Sequence, residues 1–85
     1  VAASIGAAKL IHIFGNAAHH LGGLVAQFGS QEAAYLAVQR AAQAAVTAGG
    51  ITGEYEIVVT VGGFAITMHG VVINGIARIG AFWIP

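Results

Sequence analysis

The sequence predicts an α+β domain, with N-terminal helices packed on a three- to four-stranded antiparallel β-meander. Three observations predict it. Composition changes at Gly49-Gly50, from an alanine-rich half with helical spacing to a half rich in Val, Ile, Thr and aromatics. One segment of the first half carries helix start and stop signals, and the second half alternates apolar and polar residues between two-residue turn signals. A single domain is expected over 1–85, helical over 3–48 and sheet over 54–84. The 85 residues are near the lower limit for an independent core. No repeat or Pro-rich linker divides them.

The clearest helix runs from about Gln31 to Ala48. Ser30 is a good N-cap, Glu32 lies in the first turn where the helix dipole favours negative charge, and Gly49 is a natural stop. Tyr35, Val38, Ala42 and Ala45 share one face, with Gln39, Arg40 and Gln43 directed largely away from it. The first half, Ala3 to Phe28, is helical in pattern with a break expected near Gly15-Asn16. Leu21, Leu24, Val25 and Phe28 form an i, i+3, i+4, i+7 stripe.

In the second half, EYEIVVTV alternates, with Tyr55, Ile57, Val59 and Val61 on one face. A GG turn follows, then FAITMHGVVI, then the hairpin signal NG, then IARIGAFWI. Pairing across these turns sets a register. Val61 faces Phe64, Val59 faces Ile66, Ile57 faces Met68, Val72 faces Ala77 and Ile66 faces Trp83, all on one apolar face. The opposite face collects Glu54, Glu56, Thr60, Thr67, His69 and Arg78. Glu56 falls opposite His69, with Arg78 one diagonal away. A carboxylate so placed favours the imidazolium form and orients the ring.

Composition bounds the function. The chain is 58% hydrophobic with three basic and three acidic residues, which excludes a disordered segment. Zero net charge gives no self-repulsion, so an interaction face or a larger parent protein is expected to aid solubility. Absence of cysteine excludes a disulfide framework, a thiolate nucleophile and a zinc-thiolate site. Two uncharged stretches, Leu10 to Gln31 and Ile57 to Ala77, are long enough to span a bilayer. The first contains three histidines, the second is broken by glycines and alternates like a strand, and neither has an orienting basic flank. The opening VAASIGAAKLIHIF lacks the order of a signal peptide.

The titratable groups concentrate in KLIHIFGNAAHHLG, residues 9 to 22. On a continuous helix Lys9, His12, Asn16 and His19 lie within about one 80° sector, a polar stripe with Leu10, Ile13 and Phe14 elsewhere. If Gly15 breaks the helix, that alignment is lost, although the residues can still line one cleft. His12, His19 and His20 lack the HExxH spacing and a nearby carboxylate, which argues against a metal site. Ser4 and Ser30 have no nucleophile motif, and no GxxxxGK[ST] loop exists. Histidines on a helix, with a histidine, an arginine and a threonine on a sheet, suit acid–base chemistry at neutral pH. Metal-free RNA cleavage needs such a set: a base for the ribose 2′-OH, a cation for the phosphorane and an acid for the leaving 5′-oxygen. The plain alternative is two partly buried helix histidines and a solvated Glu56–His69 cross-strand pair. One lysine and two arginines release few counterions, so a stand-alone nucleic-acid binder is not indicated.

HIFGNAAHHLGGLV, then GSQEAA, then VVINGIARIG with a terminal IP, resemble the C-terminal toxin modules of bacterial polymorphic toxins of the Rhs and contact-dependent inhibition type. The resemblance covers about Lys9 to Pro85 and rests on H-I-F-G-x-x-x-H-x-L and V-I-N-G. Such modules often belong to the barnase–EndoU–colicin–RelE-like ribonucleases, with helices before an antiparallel sheet. The resemblance implies a ribonuclease, plausibly on tRNA, secreted or delivered on a larger polypeptide to a target-cell cytoplasm and neutralised by a cognate immunity protein. It carries over His12 and His19, with Arg78 at a basic position of the last strand. The chain departs from it in lacking an arginine near His69 and in having Ala81 where a hydroxyl residue is expected after Gly80.

The expected site therefore takes His12 and His19 as principal catalytic groups, with His69, Arg78 and Thr67 from the sheet. Lys9, Asn16 and Arg78 are expected to hold substrate, and no cofactor or metal is called for. The alternatives are a membrane-active, pore-forming toxin using the two uncharged stretches, or a non-enzymatic interaction module.

Overall fold

The computed structural model describes residues 12–15 and 19–85. Two helices, α1 (Gly22–Phe28) and α2 (Gln31–Gly49), precede three strands, β1 (Gly53–Val61), β2 (Phe64–Ile73) and β3 (Ile76–Trp83). The strands form one antiparallel sheet in the order β1-β2-β3. This is the α+β meander expected from the sequence, with three strands.

α2 begins where its cap chemistry dictates. The Ser30 hydroxyl accepts a hydrogen bond from the Ala33 N–H, and Glu32 stands in the first turn. The helix ends one residue later than expected: Gly49 is its last residue, and Gly50 takes the left-handed conformation that closes it. Ala34, Tyr35, Val38, Ala42 and Val46 are its buried face. Gln43 does not simply face away. Its amide nitrogen donates to the Gly75 carbonyl and its amide oxygen accepts from the Ala77 N–H, so α2 clamps the β2–β3 hairpin at its turn.

Both hairpins have two residues with positive φ at the turn, Gly62-Gly63 and Asn74-Gly75, as expected of turns whose twist matches the strands. The β1–β2 register agrees with expectation, including Val61 opposite Phe64, Ile57 opposite Met68 and Glu56 opposite His69. The β2–β3 register agrees from Ile73–Ile76 to Gly70–Ile79 and then shifts between His69 and Gly70. His69 pairs with Ala81, and Trp83 pairs with Thr67 rather than with Ile66. Gly80 is the additional residue of a β-bulge, and one additional residue inverts the face of everything beyond it.

The core fills the space between the helices and one sheet face, and Ile13, Leu24, Val38, Ile66, Met68 and Phe82 are its largest fully buried side chains. The Phe82 ring meets Phe14 edge-on at a centroid distance of 5.5 Å and Tyr35 at 6.0 Å. The other face of the sheet is uncovered among the described residues, and Val58, Ile73 and Ile76 are its exposed large apolar side chains.

Candidate active site on the open sheet face

The bulge builds the site. Gly70 lies where the Arg78 carbonyl approaches β2 so closely that a Cβ could not fit, and the Tyr55 ring fills the space beneath. The Tyr55 hydroxyl donates to that same carbonyl at 3.0 Å. Burial raises the Tyr55 hydroxyl above its usual pKa, with the nearby Tyr35 adding to the rise, so it remains a donor at neutral pH. One residue further along, the His69 ring lies over Gly80, where a Cβ would come within 3.0 Å of the imidazole. Two glycines thus do different work, one admitting a backbone carbonyl and the other admitting the His69 ring.

With the bulge in place, three rows cross the open face: Glu54, Val71 and Arg78; Glu56 and His69; Val58, Thr67 and Trp83. The His69 and Trp83 rings are in contact, with centroids 5.7 Å apart. Glu54, Tyr55, Glu56, His69, Gly70 and Val71 line an open depression beside them.

The histidine-rich segment reaches the same place by another route. His12, Ile13 and Phe14 are helical, Ile13 is buried and Phe14 packs on Phe82. The helix breaks at Gly15, and His20 has a φ of 56°, so no continuous helix carries the residues to His19. His12 and His19 therefore do not share a continuous helix, and Lys9 and Asn16, expected to hold substrate, lie outside the described residues. The chain instead runs beside the end of β3. The Ile84 N–H donates to the His19 carbonyl at 2.8 Å, and His20 Nδ1 donates to the Ile84 carbonyl at 2.9 Å. His19 Nδ1 bonds the Ile13 carbonyl. A carbonyl only accepts, so Nδ1 is the donor of that bond. The His19 ring lies 6.3 Å from the Trp83 indole, centroid to centroid.

Trp83 thus joins two of the expected site residues, His19 and His69, with Thr67 opposite it in register and Arg78 exposed one row beyond His69. His12 is exposed and takes no part in the ring contacts that gather the others. His20 is occupied in holding Ile84. The register expectation placed Trp83 on the inner face and so missed it. The signal was Gly80 inside a strand pattern, followed by Phe82, the larger core residue, in the outward phase.

Among the described residues, no group of three or more His, Cys, Asp or Glu side chains could hold a metal ion. No helix among them is long and apolar enough to cross a membrane. No known protein family, curated protein or solved structure matches the chain.

Proposed function

We propose that the chain is a bacterial toxin domain that cleaves RNA without a metal ion, tRNA being one candidate substrate. In this reading it is carried on a larger polypeptide, acts in the cytoplasm of a target cell and is neutralised by a cognate immunity protein. The observation that carries the reading is the meeting of His19 and His69, from opposite halves of the chain, on one indole. Two imidazoles with different hydrogen-bond environments can divide the work of base and acid. The indole offers a stacking surface to an unpaired base, a contact worth about 1–3 kcal/mol per base. Arg78 and Thr67 stand on the same face as cation and hydrogen-bonding group for the phosphate. His12 and His19 remain the positions that the toxin resemblance singles out, and separate substitutions distinguish them.

The test is brief expression in cells, read by a total RNA gel and a membrane-potential dye. RNA breakdown with the potential intact is expected at first, with His69→Ala and His19→Ala each slowing cleavage by about a hundredfold or more. The pH profile of kcat/KM is expected to be bell-shaped. Loss of potential with RNA intact would support the membrane-active alternative, and neither effect would support an interaction module.

A further inference from the structure

The two edges of the sheet are finished differently. On β3, Gln43 occupies the Ala77 N–H and the Gly75 carbonyl near one end, and His19 and His20 bond Ile84 just past the other. No comparable contact covers β1 among the described residues, although β1 is the other outermost strand. Val61 and Phe64 close a two-residue hairpin, so odd-numbered β1 residues bond to β2 and the backbone groups of Glu56, Val58 and Thr60 point to the open edge. β1 has no lysine, no proline and no bulge over Gly53–Val61, and its charged residues, Glu54 and Glu56, stand towards one end, leaving Ile57 to Val61 without a charge.

Apolar exposure concentrates at the middle of this edge on both faces. Val58 is 65% exposed on the outer face, the largest exposure among the big apolar side chains. Ile57 and Val59 face the core yet are only half-buried, whereas Tyr55 and Val61 on either side of them are buried.

We infer that the β1 edge pairs with β1 of a second copy of this chain, antiparallel about a two-fold axis at Val58. This register sets Val58 against Val58 of the second copy, Glu56 against Thr60, and Ile57 against Val59 on the inner face. Each pair keeps inner residues with inner and outer with outer, as a continuous sheet requires. No like charges stand opposite one another, whereas centring the axis on Glu56 would oppose two glutamates. The chain's zero net charge removes long-range repulsion between copies. A two-fold contact uses both β1 edges and leaves outside only the β3 edges, where Gln43 holds the Ala77 N–H near one end and His19 and His20 hold Ile84 past the other, so the assembly closes at two. This inference is independent of the ribonuclease reading.

Sedimentation velocity across a wide dilution series tests it, with circular dichroism as the check on folding. The unaltered chain is expected to run at twice the monomer mass and to dissociate on dilution. Val58→Lys is expected to give a folded monomer, and so is Val58→Pro, which removes an edge N–H that a lone edge strand can spare. Ile76→Lys, at another exposed apolar position by the β2–β3 turn, is expected to leave the dimer intact. Hydrogen exchange at the Val58 amide is expected to be slow in the dimer and to accelerate on dilution. A chain that stays monomeric at every concentration, an assembly that grows past two, or a dimer with a fast-exchanging Val58 amide would each overturn the inference.

Discussion

Phe82 and Trp83 are neighbours in the chain and lie on opposite faces of the sheet. Phe82 is fully buried between Phe14 and Tyr35. Trp83 is half-buried on the outer face, where the His19 and His69 rings meet it. The inner face is closed by two helices and carries stability; the outer face is open and carries the polar groups. The bulge at Gly80 separates the packed core from the open polar face, because it decides which aromatic goes where.

The comparison is broken most severely at Phe82. Phe82→Ala is expected to cost about 3–5 kcal/mol by leaving a cavity in the core, enough to unfold much of so small a domain, as urea denaturation will read. Trp83→Ala is expected to leave the denaturation midpoint much closer to that of the unaltered chain while abolishing most RNA cleavage. If the two substitutions destabilise equally, the division between faces is wrong.

Gly70→Ala is expected to come next, at about 1–3 kcal/mol, since the methyl group must displace both the Arg78 carbonyl and the Tyr55 ring. Deleting Gly80 sharpens the same point. It restores the regular register and turns Trp83 inward, so nuclear magnetic resonance should find the His69 ring without its indole neighbour. Gln43→Ala is expected to cost about 1–3 kcal/mol, because it strips a partner from the backbone N–H of buried Ala77. A similar cost for the exposed Arg40→Ala would show that the clamp contributes nothing.

The smallest effect is a pH dependence confined to alkali. Burial raises both Tyr35 and Tyr55 above the usual value of 10.0. Above that pH the unfolded tyrosines lose protons first, the folded state binds more, and stability falls as pH rises. Urea midpoints at about pH 8 and about pH 11 should show the fall, and Tyr55→Phe should reduce it.

Much of the fold was legible because its signals are local. Ser30 caps α2 through its own hydroxyl, Asn74-Gly75 turns the chain by its own backbone preference, and alternation placed Glu56 opposite His69 through a tight turn. What was not legible depended on contacts between distant segments. Gln43 looks like a solvated helix position until the β2–β3 turn arrives beside it. His19 could be placed by helical arithmetic only while the helix continued, and the chain breaks at Gly15 to reach Ile84.

Fold class, strand partners and the apolar faces of α2, β1, β2 and β3 as far as Ile79 follow from the sequence, because periods of 3.6 and 2 act on neighbouring residues. Tertiary structure alone decided that His19 and His69 share Trp83. A one-residue bulge inverts the sheet face without altering the composition or turn chemistry that a sequence displays, and its position is set by packing: Phe82 fills the core, and Gly70 and Gly80 leave room for a carbonyl and an imidazole.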